Sequence, residues 1–175
     1  MSPPGPTRRE LVATLAASAV PVASTAQARA QPVGDQEVVL GLLALEQRSV
    51  LVYEQLVQGA KPSGPTVAAA KLFRRQERRH VEALTEALRG MGATSLPKAP
   101  SPQEPRGDSV DLIRLAAEHE VKCIRAYYEA TAKLRSPALL ATAAGVMANE
   151  AQHLAVLRQL LGGDPSPVAF VTGRG

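Results

Sequence analysis

The sequence has no tryptophan and a single cysteine, Cys123, in 175 residues. One thiol excludes an internal disulfide and any all-cysteine zinc or iron–sulfur cage. Aromatic residues are scarce too, at 3%. The core must therefore come mainly from Leu, Val, Ala and Ile, a composition that favours packed helices over a β-sandwich. Excess charge is also missing. The formal net charge is +4, and from residue 31 onward 17 Lys and Arg stand against 15 Asp and Glu, a balance of +2. That excess is too small to mark a nucleic-acid-binding protein by charge. The length suits one domain.

Residues 1–30 read as a leader. Thr7, Arg8, Arg9, Glu10 and Leu11 form a paired-arginine start, and a mild Ala-rich apolar run over 11–23 is broken by Pro21. That run is too short and too weak for a stable transmembrane helix. Ala28 and Ala30 place small residues where a signal peptidase reads. The segment resembles a twin-arginine export signal, with Leu11 standing where such signals prefer Phe. The expectation is cleavage after Ala30 and export, as a folded chain, to the periplasm, cell envelope or exterior.

Four helical patterns follow, over 35–59, 64–91, 108–135 and 137–162. At about 100° per residue, the first aligns Val39, Leu42, Leu43, Glu46, Val50 and Tyr53, and Gly59 and Pro62 end it. The second begins near Pro65, aligns Ala70, Phe73, Glu77, His80, Val81 and Leu84, and stops at Gly90 and Gly92. The third aligns Ile113, Ala116, Glu120, Ile124, Tyr127 and Leu134. Its opposite face holds Arg114, Glu118, Lys122, Arg125 and Glu129. The fourth opens at Ser136, a cap, with Pro137 at the first helical position. It aligns Leu139, Ala143, Val146, Glu150, His153, Leu154, Leu157 and Leu161, and Gly162 and Gly163 end it. Between patterns two and three, residues 92–107 carry four prolines and cannot be helical. Extended, they reach about 50 Å, enough to run the length of a bundle and leave helices two and three parallel. The other two connections are short, so their helices are antiparallel neighbours. The fold class is all-α: a four-helix bundle over 31–163, made of two hairpins and a long crossover, with an irregular tail at 164–175.

The chain also repeats itself. Glu77 and His80 stand three apart, as do Glu150 and His153, and the two pairs are 73 positions apart. Three residues along a helix is about 4.5 Å, so each pair shares a face. Each pair also follows a glutamate with Tyr seven later: Glu46 with Tyr53, and Glu120 with Tyr127. All four glutamates lie in apolar stripes. By the same test Glu118 is a surface residue within reach of Lys122 at i+4. Four carboxylates in one core would repel and lose hydration, at several kcal/mol each. Two cations would offset that cost, and oxygen donors with a few imidazoles suit iron or manganese. One terminal Glu and one His per ion, with Glu77 and Glu150 bridging, is the available geometry.

Glu46, Glu77-x-x-His80, Glu120 and Glu150-x-x-His153 resemble the ligand pattern of the ferritin-like superfamily of di-iron carboxylate proteins. The likeness covers nearly all of the chain after the leader. It is nearest to small exported bacterial members, and the ligand types match those of bacterioferritin and rubrerythrin. The resemblance implies Glu46 and His80 on one ion, Glu120 and His153 on the other, and Glu77 and Glu150 between them. It implies oxygen or peroxide as oxidant and a homodimer. It places Tyr53 and Tyr127 near the metals, where packing alone would also account for them. A manganese catalase-like site uses the same ligand types, and a structural envelope protein that binds metal weakly is a third reading. There is no evident fifth helix for a cage and no cysteine module for internal electron relay.

Three features stand outside this pattern. Cys123 reads as a buried filler near the site. His119 lies off the core stripe and reads as a surface residue. Lys71, Arg74, Arg75, Arg78 and Arg79 form a basic stripe on helix two, which reads as a solvated face with no specific nucleic-acid role.

Overall fold

The structure, a computed structural model, describes residues 33–59, 64–102 and 104–174. The expected leader and its cleavage point lie outside these residues, as does Pro62. Four helices are present: α1 (Val33–Gly59), α2 (Pro65–Gly90), α3 (Ser109–Thr131) and α4 (Pro137–Leu160). The described residues contain no strand. None of the helices is long and apolar enough to cross a membrane.

Local chemistry sets most of the helix ends. Asp108 caps α3 by accepting from the backbone N–H of Val110 and Asp111 at 2.8 and 3.0 Å. Asp111 returns the favour at 3.3 Å from the Asp108 N–H, which completes a capping box. α2 and α4 end alike. Gly92 and Gly162 both adopt φ +78. The next residue reaches back five positions, Ala93 N–H to Leu88 O at 3.0 Å and Gly163 N–H to Arg158 O at 2.9 Å. This left-handed stop is open to glycine at little cost.

The turn between α3 and α4 departs from expectation. α3 stops at Thr131, four residues early, so Leu134 lies in the turn rather than on the helix, yet it is still buried. Ser136 stands at the N-cap of α4, but its side chain makes no capping bond. The work passes to Asp35 of α1, which is only 1% exposed. Its carboxylate accepts from the backbone N–H of Arg135 at 2.9 Å and of Ser136 at 3.1 Å. A carboxylate that satisfies two donors outcompetes a hydroxyl that satisfies one.

Two apolar clusters fill the ends of the bundle. One holds Val39, Leu42 and Leu43 of α1, Leu84 and Leu88 of α2, Tyr127 and Ala130 of α3, and Leu139, Ala143 and Val146 of α4. The other gathers Val52, Tyr53 and Leu56 of α1, Val67, Ala70 and Phe73 of α2, Leu112, Ile113 and Ala116 of α3, and Leu157 of α4. The first half of α1 thus meets the second half of α2 and of α3, so α1 is antiparallel to both. α2 and α3 run parallel, as a long crossover allows. α1 packs on α2 and α3, and α4 packs on α3 and more lightly on α2. Gln47 of α1 donates to Pro97 O at 3.1 Å and ties the crossover to the bundle. Val50 is only partly buried, and Ser49 beside it takes the buried position. Leu161, at the end of α4, is 36% exposed rather than on the core stripe.

The tail after α4 is irregular and returns to α3. Arg174 lies 5.4 Å from the centre of the Tyr128 ring and 3.3 Å from Glu129.

Asp35→Ala should strip two buried N–H groups of their acceptor and lower stability by about 1–3 kcal/mol. Urea denaturation monitored by circular dichroism will measure it. A change no larger than that of Glu37→Ala, an exposed neighbour, would refute the cross-helix cap.

Candidate metal centre

Between the two apolar clusters lies a polar layer. Glu46, Glu77, Glu120 and Glu150 are each 0% exposed, one from each helix. The i, i+3 spacing then delivers His80 beside Glu77 and His153 beside Glu150. His80 Nδ1 lies 3.4 Å from Glu46, 3.3 Å from Glu77 and 3.1 Å from Glu150. His153 Nδ1 lies 3.1 Å from Glu77, 3.3 Å from Glu120 and 3.0 Å from Glu150. The six residues fall into two overlapping groups of potential metal donors. One is Glu46, Glu77, His80 and Glu150, and the other is Glu77, Glu120, Glu150 and His153, each with donor atoms within 4.8 Å of one another.

Glu77 and Glu150 touch both imidazoles, whereas Glu46 and Glu120 touch one each. That asymmetry shows in their acidity. Burial pushes all four carboxyls up. For Glu77 and Glu150, the nearby His153 and His80 rings outweigh burial; Glu77 is lowered and Glu150 falls to about 2. Glu46 and Glu120 have one imidazole each and stay well above the usual carboxylate range. Burial lowers the imidazoles, but their carboxylate neighbours prevail and raise His80 to about 12 and His153 to about 11.

The layer is not satisfied by these protons. Both oxygens of Glu46 and Glu150, Glu77 Oε1, Glu120 Oε2 and His153 Nδ1 are buried without a hydrogen bond of good geometry. Buried polar atoms left unpaired are rare and call for an explanation. One proton on an imidazole cannot point at three oxygens, but a cation can sit among four donors. Donors 3.0–3.4 Å apart match the edges of a coordination polyhedron with bonds of about 2.1 Å. The residues fit a metal.

His153 is prepared for such a role. Its Nε2–H donates to Gln76 Oε1 at 3.0 Å, which leaves Nδ1, facing the carboxylates, as the basic nitrogen of the neutral ring. Phe73 stacks on the ring with centroids 4.1 Å apart. His153 is sealed at 1% exposure, whereas the His80 side chain is 13% exposed. Solvent therefore reaches the layer more easily from the His80 side.

A ferritin-like domain matches residues 34–163. The chain belongs to the ferritin-like domain family. Comparison with curated proteins gave no match. The ferritin-like bundle thus supplies a fold whose mid-plane is built for carboxylates, and the six residues singled out by spacing all meet there.

The tyrosines cross over. Tyr53 of α1 donates its hydroxyl to Glu120 of α3. Tyr127 of α3 lies beside Glu46 of α1 without reaching hydrogen-bond geometry. Each sits two turns past its own helix's glutamate. Because α1 and α3 are antiparallel, that step brings each phenol to the glutamate of the other helix. Burial, and then the adjacent glutamates, raise both phenols well above their ordinary pKa.

His119 corrects the sequence reading. It is 4% exposed, and its Nε2 pairs with Ser49 Oγ at 2.9 Å. Ser49 Oγ in turn lies 3.5 Å from Cys123 Sγ. Burial, partly opposed by Glu77 and reinforced by Arg48 and Lys122, lowers His119 to about 4. Ala116 and Cys123, at i−3 and i+4, were the available signal that this position faces inward. Cys123 is fully buried, outside both metal-donor groups, and burial raises its thiol. Lys122 does not pair with Glu118 at the expected i+4 spacing; no such ion pair forms among the described residues. The basic stripe on α2 is partly neutralised, by Glu54 on Arg74 at 2.5 Å and on Arg78 at 3.9 Å, and by Glu82 on Arg79 at 2.9 Å.

Metal binding should release protons. In the metal-free protein His80 and His153 stay protonated up to about 12 and 11, and a ligating imidazole must be neutral. Uptake at pH 7 should therefore expel one proton from each imidazole, with Glu46 and Glu120 the source of any further ones, and affinity should fall as pH falls. Titrating Co(II) into weakly buffered protein with a pH indicator will count them. Uptake without proton release would contradict this account.

Proposed function

We propose that this ferritin-like bundle binds two metal ions, iron foremost, and oxidises Fe(II) with oxygen or peroxide. One observation carries the reading: two imidazole Nδ1 atoms, each flanked by three carboxylate oxygens at 3.0–3.4 Å. Glu46 and His80 would hold one ion and Glu120 and His153 the other, with Glu77 and Glu150 within reach of both. Hard oxygen donors with two imidazoles suit iron or manganese over softer metals. Iron held there would supply the electrons that oxygen or peroxide takes up, and the protein supplies geometry and environment.

The chain's own contribution is fourfold. The carboxylates match the positive charge. Gln76 fixes the His153 tautomer. Tyr53 donates to the Glu120 oxygen that also faces His153 and so fixes that carboxylate. The apolar clusters on both sides keep bulk water out, which strengthens every electrostatic contact within the layer. Export through the leader belongs to the same proposal, and its check is a mature N-terminus at Gln31.

Anaerobic Fe(II) titration of metal-free protein should give two tightly held irons per chain. Glu77→Ala with Glu150→Ala should lose both while the far-ultraviolet circular dichroism stays helical, because the apolar clusters remain. Loading should also raise the melting temperature, since a ligand at a hundredfold its Kd stabilises by about 2.7 kcal/mol. No bound iron, or iron unaffected by the double substitution, would overturn the proposal. Manganese in protein isolated from its native source would change the metal.

A further inference from the structure

A second site lies outside the metal layer, on the surface between α1 and α3. A cavity of about 190 Å³ opens there, lined among others by Arg48, Leu51, Pro100, Leu115, His119 and Lys122. That volume is room for about six water molecules.

Its chemistry is one-sided. No Asp or Glu lines it. Arg48 and Lys122 are exposed, and neither makes an ion pair among the described residues. Glu118, one turn before Lys122, is exposed and stays off the lining. Two cations beside a concave wall raise the local potential for anions. Leu51, Leu115 and Pro100 supply an apolar surface, and Leu115 is 42% exposed. An apolar wall with a few convergent polar groups is the usual character of a small-molecule pocket.

The repeat explains why the cations meet. Arg48 is two residues past Glu46, and Lys122 two past Glu120. On antiparallel α1 and α3 these equivalent positions come together on one outer face. His119, one of the lining residues, is buried and bonded to Ser49 at 2.9 Å, so part of the wall is a fixed side chain.

We infer that this cavity binds a small organic anion, with its carboxylate or phosphate group on Arg48 and Lys122 and its apolar body against Leu51, Leu115 and Pro100. The site does not depend on the metal reading and can be tested whether or not metal is bound.

Calorimetric titration of the full chain at low salt with benzoate, phenyl phosphate and inorganic phosphate will test it. One organic anion should bind saturably at one site, and the tighter of the two identifies the head group. Inorganic phosphate should bind at least about tenfold more weakly than phenyl phosphate. Arg48→Gln with Lys122→Gln should weaken binding by at least about tenfold, or about 1.4 kcal/mol. Lys71→Gln with Arg75→Gln, the same charge change on α2, should leave it within about twofold. Failure of both organic anions to saturate would overturn the inference. So would an equal loss in the α2 variant, which would mean general surface charge. Inorganic phosphate binding as tightly as phenyl phosphate would also overturn it, by reducing the site to a bare charge pair.

Discussion

Four buried carboxylates sharing two imidazoles is the constraint on which this bundle depends. Each carboxylate gives up its hydration to sit between apolar clusters, at a cost of several kcal/mol if unpaired. The imidazoles offset part of that cost, and they do so unevenly. Glu77 and Glu150 reach both rings and are held ionised; Glu46 and Glu120 reach one each and are pushed toward their protonated forms. The division between central and outer carboxylates thus follows from where two histidines fall on α2 and α4. In the metal-free state protons stand in for cations, imperfectly, and the unpaired oxygens mark the shortfall.

The surrounding side chains reduce the freedom of this layer. Gln76 and Phe73 of α2 fix the ring of His153 on α4, and Tyr53 of α1 fixes Glu120 of α3. The contacts run between helices, not along them, so the helix pairs orient one another's donors. The His80 half has fewer such supports and some exposure to solvent. One half of the centre is therefore rigid and sealed, and the other is accessible.

How much of this was legible in the sequence depends on whether a signal was local. Glu77 with His80, and Glu150 with His153, are i, i+3 pairs, and their repetition made the convergence of six residues readable from spacing alone. The tyrosines are placed near the metals only by resemblance; that each phenol meets the glutamate of the other helix is seen only in space. Asp35 was not readable, since its partner Arg135 is 100 positions away and nothing near either residue marks the contact. Gln76 was hidden likewise, on a different helix from the ring it orients. His119 reads as surface by its type, whereas its neighbours Ala116 and Cys123, at i−3 and i+4, mark the inward position that the structure gives it. The basic stripe on α2 looked uniform in sequence, whereas Glu54 and Glu82 neutralise part of it in space.

The arrangement of apolar ends around a polar middle also has a bearing on alternative packings. Leucine-rich helices can slide past one another by a turn with little loss of contact, since one apolar stripe is much like the next. Here a one-turn slip of about 5.4 Å would drag a glutamate out of reach of the imidazoles and toward one of the apolar clusters. An unpaired charge buried there would cost about 3–5 kcal/mol, a large share of a small domain's stability. The carboxylate layer, expensive as it is, therefore acts as a register key that admits one alignment of the four helices.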